Sequence, residues 1–93
     1  MSKNKLKSAR KKIDQIDNKI FLQIKKRTQI VSHMMKLKRK KNEIVDYKRI
    51  NEILKKIRKK SLRNKIDPKI TNRIWKSMIW GYVHFQRKNF KKN

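Results

Sequence analysis

Ninety-three residues, only 35% of them hydrophobic, allow one domain at most and give a lone chain a thin core, so some further surface is needed to complete it. The absence of cysteine and the presence of just two histidines, His33 and His84, exclude disulfides, thiolate metal sites and a histidine-only metal centre, so neither metal nor cofactor is expected. The charge of +25, from 31 Lys+Arg against 6 Asp+Glu, is loud enough to suggest nucleic acid. The lysines nevertheless run along the whole chain, and Lys, Asn and Ile are inflated together, as drift in coding DNA would produce, so bulk charge does not by itself define a function.

One Gly and one Pro leave no material for phosphate loops, hairpins or a sandwich, and the expected fold class is all-α. No apolar run approaches the ~20 residues of a membrane span. Met1 to Lys12 lacks the apolar stretch of a signal peptide, so a soluble, cytoplasmic protein is expected.

A long first helix is predicted from about Asn4 to Lys40, with Leu6, Ile13, Ile16, Ile20, Ile24, Val31, Met34 and Leu37 recurring at three- and four-residue steps. Such a helix would extend ~55 Å, too far for two shorter helices of one chain to cover, which calls for a partner chain. Lys40 to Val45 is polar. Asp46 is a candidate N-cap for a short second helix carrying Ile50, Ile53, Leu54 and Ile57 and fading through Ser61, Arg63 and Asn64. Asp67-Pro68 supplies an N-cap and first-turn proline for a third helix to about Phe90. Its apolar face is Ile70, Ile74, Trp75, Met78, Ile79, Tyr82 and Phe85, and Lys88, Lys91 and Lys92 suit its negative end. Only the basic chain ends read as frayed. Trp75, Trp80 and the four methionines read as core or dimer packing and not as a stacking platform for bases, and the two histidines carry no assignment.

Polar residues on the apolar stripes carry the functional signal. Arg10, Arg27 and Lys38 fall on the stripe of the first helix, where an unpaired, desolvated charge costs several kcal/mol unless an anion meets it. Asp14 and Asp17 can answer only part of that charge. Arg27 and Lys38 lie about three turns apart, close enough for long side chains to share one small ligand, whereas Arg10 is ~25 Å from Arg27 along the axis. A partner chain could bring Arg10 in. Gln86 continues the stripe of Trp75, Ile79 and Tyr82, pointing an amide inward. For Asp46 the N-cap role is a sufficient account.

The run Arg10-Lys-Lys-Ile13-Asp14-Gln-Ile16-Asp17, followed by Ile20, Ile24 and Arg27, then Lys38, Asp46, Arg49, Gln86 and the Ile66-Asp67-Pro68 before the last helix, resembles the all-helical chorismate mutase family over nearly the whole chain. The resemblance implies a single helical domain over residues 1–93 in which two three-helix chains intertwine as a six-helix homodimer. It also implies conversion of chorismate, a small dicarboxylate, to prephenate, a step in aromatic amino acid biosynthesis. That rearrangement needs no acid, base or nucleophile, only a folded conformer held against fixed donors as negative charge builds on the ether oxygen. On the family pattern Arg27 and the partner's Arg10 would clamp carboxylates. Lys38 would contact a carboxylate and the ether oxygen, Gln86 would donate to that oxygen, and Asp46 and Arg49 would lie near the ring, Asp46 accepting from its hydroxyl.

Two positions depart from the mutase pattern: Ile50 stands where many mutases carry Glu, and Tyr82 where some carry Ser. Both look like the isochorismate pyruvate-lyase branch of the same fold, which leaves that as a second reading and a non-enzymatic basic nucleic-acid-binding module as a third. On the enzyme readings any nucleic-acid binding by the lysine-rich surface would be incidental.

Overall fold

The computed structural model describes residues 2–90, and among these there are helices and no strand. Helix α1 spans Ser2–Leu37, a 3-10 turn covers Lys41–Glu43, α2 spans Tyr47–Arg63 and α3 spans Pro68–Asn89. The expected ends at residues 91–93, with Lys91 and Lys92, lie outside the described residues. Two compact units divide the chain, Met1–Ser32 and His33–Asn93.

The first unit is the body of α1. Along it Leu6, Ile13, Ile16 and Ile20 are each about half exposed or more, at 51, 55, 55 and 54%. The apolar periodicity is therefore present, but a single chain leaves it open to water. Arg10, expected on a buried face, is exposed for the same reason.

The second unit holds the core residues Ile44, Ile50, Ile79 and Val83. Helix α1 stops at Leu37, three residues earlier than its periodicity suggested. The chain then enters the 3-10 turn, where the Glu43 carboxylate accepts from the Lys40 N–H at 3.0 Å and Ile44 is buried at 4% exposure. The predicted cap of α2 is present: Asp46 Oδ1 accepts from the Arg49 N–H, satisfying one of the donors left free in the first turn.

Helix α2 ends at Arg63 with Asn64 as its C-cap, inside the stretch over which it was expected to fade. Ser61 sits inside it, buried at 3%, donating to the Ile57 carbonyl at 2.7 Å and pairing with Thr71 Oγ1 of α3 at 2.7 Å. A residue that reads as a helix weakener is thus the polar pin between α2 and α3. Helix α2 closes in a Schellman arrangement, with the Ile66 N–H bonded to the Ser61 carbonyl at 2.9 Å and the Lys65 N–H to the Leu62 carbonyl at 3.3 Å. Lys65 carries the left-handed conformation this requires, φ 56°. Asp67 then accepts from the Lys69 N–H at 2.9 Å and Pro68 occupies the first turn of α3, as the sequence predicts.

Helix α3 buries Ile79, Val83 and Gln86, with Trp75, Met78, Tyr82 and Phe85 half-buried. Ile70 and Ile74, expected on its core face, are 55 and 53% exposed because the face they occupy looks away from α2. Trp80, expected in packing, is 40% exposed.

Glycine is missing where the backbone asks for it and present where it does not. Lys65 holds a conformation costing a side-chain-bearing residue ~1–2 kcal/mol, and Gly81 sits mid-helix with open space around the position of a Cβ. Lys65→Gly and Gly81→Ala should each stabilise the chain, by up to about 1 kcal/mol. Urea unfolding curves of the two variants check this, and a lower midpoint for Gly81→Ala would show that another surface already occupies that space.

Candidate functional site

The eight residues marked by the sequence fall into three groups. Arg10 and Arg27 lie on α1 within the first unit, Arg10 exposed and Arg27 half-buried. Asp46, Arg49 and Ile50 form the start of α2. Lys38, Tyr82 and Gln86 meet between the segment after α1 and the last third of α3, within the second unit.

The third group is the tightest. Lys38 Nζ donates to Gln86 Oε1 at 2.9 Å, joining positions 48 residues apart. Gln86 is buried at 6% exposure, an uncommon place for an amide, and Lys38 is half-buried. Because α1 has ended at Leu37, the lysine stem is not bound to a helical direction and can reach α3. The other end of the amide is less well served: Gln86 Nε2 donates to the Tyr82 carbonyl one turn back at 3.3 Å, beyond the usual range for such a bond. The amide is therefore oriented by the ammonium, with its own donor weakly engaged.

An ammonium carries three donors and one of them goes to Gln86. The pair consequently presents positive charge and an N–H from two elements at a partly desolvated point, the equipment for holding an anion or stabilising charge that develops on an oxygen. No acid, base or nucleophile is needed for such a device. Among the described residues no cluster of His, Cys, Asp or Glu could hold a metal ion.

At the start of α2 the Asp46 carboxylate is committed through Oδ1 to the helix cap, and Asp46 and Arg49 are both exposed. Ile50, one turn in, is buried at 9% exposure, so this position contributes an apolar wall. Periodicity missed Ser61 and Val83. Both continue apolar stripes, Ser61 after Ile50, Leu54 and Ile57, and Val83 between Ile79 and Gln86, and that continuation is the signal that could have found them. Two open grooves of about 460 and 300 Å³ lie between α2 and α3, lined by residues including Leu54, Ile57, Thr71 and Trp75. Neither includes any of the eight residues.

Among the described residues no helix is long and apolar enough to cross a membrane. Searches for similar curated proteins and for similar solved structures each found no significant match. The family model for chorismate mutase type II matches residues 9–87, a span that contains all eight marked positions. Covering most of an all-helical chain, that match establishes that the chain belongs to the chorismate mutase type II family.

Proposed function

We propose that the protein is a chorismate mutase that works by electrostatic preorganisation, with Lys38 and Gln86 as the catalytic pair. The observation that carries this reading is their 2.9 Å hydrogen bond, which puts an ammonium and a buried amide at one point. On substrate binding Lys38 meets a carboxylate and the ether oxygen. Gln86 exchanges its long bond to the Tyr82 carbonyl for one to the same oxygen, a small loss against a contact that strengthens as charge builds there. Arg27 and Arg10 of the partner subunit clamp carboxylates, for which a planar guanidinium is suited. Asp46 and Arg49 stand at the ring end.

Buried Ile50 favours a second reading, isochorismate pyruvate-lyase activity, since an apolar side chain offers nothing to the chorismate ring hydroxyl and leaving a polar group unpaired costs ~1–3 kcal/mol. Incubating the purified protein separately with chorismate and with isochorismate should yield prephenate from the first. Pyruvate and salicylate from isochorismate, with chorismate untouched, would transfer the assignment to the lyase.

The exposed apolar stripe on α1 and Ile70 and Ile74 on α3, which a second copy would cover, support a homodimer. Sedimentation should show a dimer at micromolar concentration. Arg10→Ala and Arg27→Ala should each be inactive, because each removes a clamp from both sites. Unfolding and refolding the two together should restore part of the activity, since one site of the heterodimer then regains both arginines. A mixture that forms heterodimers and stays inactive would place Arg10 outside the shared site.

Gln86→Glu separates the amide from its shape. The new carboxylate would face the Lys38 ammonium and form an ion pair with it, removing both groups from the substrate at neutral pH. Protonation restores a donor, so activity should be poor at neutral pH and recover as pH falls, with Lys38 holding the carboxyl ionised to lower pH than it would be alone. Rate profiles of Gln86→Glu and of the parent that run parallel between mildly acidic and neutral pH would remove Gln86 from the ether contact.

A further inference from the structure

Helix α3 carries three faces, and the site and the partner copy account for two of them. Ile79, Val83 and Gln86 are buried in the second unit, and Ile70 and Ile74 offer apolar surface. The third face holds Lys69, Arg73, Lys76, Trp80, His84 and Arg87, all exposed. At 3.6 residues per turn these six fall within about 80° of one another and extend over ~27 Å. No acidic residue occurs between Pro68 and Asn89.

Trp80 sits in the middle of this row, with Lys76 one turn before it, His84 one turn after, and Arg73 and Arg87 two turns away on either side. Its ring is held from one side by Tyr47 of α2, ring centroids 6.2 Å apart and planes inclined at 54°. Tyr47 is itself 65% exposed, so the pair is no part of the core. An exposed indole packed on one side by Tyr47 and lying in a row with Arg73, Lys76 and Arg87 has one use that burial or self-association does not supply. A second copy would bring like charges against this face, and an interfacial membrane helix would need apolar residues along the exposed row, whereas that row beside Trp80 is Arg73, Lys76, His84 and Arg87.

We propose that this face of α3 binds single-stranded nucleic acid, Trp80 stacking an unpaired base while Arg73, Lys76 and Arg87 follow the phosphates. A single strand is the occupant because its bases have open π-faces, while a duplex keeps them stacked inside and would meet only the cations. The ring pair supplies what net charge lacks, a fixed point at which contact differs from general attraction to a polyanion. The surface does not depend on Lys38 and Gln86, and the two functions fail separately.

Anisotropy of a labelled twelve-nucleotide oligouridylate, titrated with the full chain, tests this, with a duplex RNA of equal length as competitor. The single strand should bind more tightly than the duplex, and Trp80→Ala and Trp80→Leu should each weaken it about tenfold, the leucine retaining apolar packing against Tyr47. Joint replacement Arg73→Gln and Lys76→Gln should lower the salt slope by about 1.4. Lys56→Gln with Lys59→Gln, on the exposed face of α2, should change binding less. Prephenate formation should persist in all four variants. Parent-like binding by both Trp80 variants would overturn the proposal, as would an equal loss from the α2 pair, which would indicate diffuse charge. Uptake by phosphatidylglycerol vesicles with no oligonucleotide binding would reassign the face to lipid.

Discussion

The hydrogen bond between Lys38 and Gln86 is the contact on which the proposed chemistry of this chain depends. It brings a residue from the segment after α1 to a buried position near the end of α3. Burying an amide is costly unless both of its ends are used, and an ammonium is costly to desolvate unless something accepts from it. Each group answers the other's need only in part. The Nε2 end of Gln86 holds a long bond to Tyr82, and the lysine has more donors than the amide has acceptors. A site left with surplus donors of this kind favours an oxygen acceptor or an anion, and membership of the chorismate mutase type II family gives that preference a chemical context.

Local signals were the readable ones. Asp46 and Asp67-Pro68 could be identified as helix starts because a cap needs only its own carboxylate and the N–H groups two or three residues on. The end of α1 was less readable, since neither glycine nor proline marks it and the stop is made by a 3-10 turn stabilised by Glu43 and the burial of Ile44. Ile44 and Val45, adjacent in an otherwise charged and polar stretch, give a helical periodicity nothing to count. Ser61 reads in the sequence as the first of the residues through which α2 fades, with Arg63 and Asn64. In the fold its hydroxyl bonds to the Ile57 carbonyl and still reaches Thr71.

The candidate site was legible in a different way. Gln86 could be marked from its stripe alone, but its meeting with Lys38 across 48 positions is tertiary and no periodicity contains it. The resemblance supplied that pairing, and the geometry gives it a physical form. Trp80 shows the opposite failure: an aromatic residue in a helix reads as packing, and only exposure distinguishes a buried indole from one set on the surface beside Tyr47.

The three faces of α3 also bear on how this sequence can vary. A helix with one face in the core, one apolar and exposed, and one a row of cations around an indole has no neutral side on which substitutions can accumulate unnoticed. The outer side of α2 is different. Lys55, Lys56 and Lys59 are exposed there, and none takes part in the cap, the Ser61 pin or the Lys38 contact. Related chains should therefore diverge fastest along that outer side of α2, where charge can be exchanged or lost at little structural cost, while α3 changes more slowly.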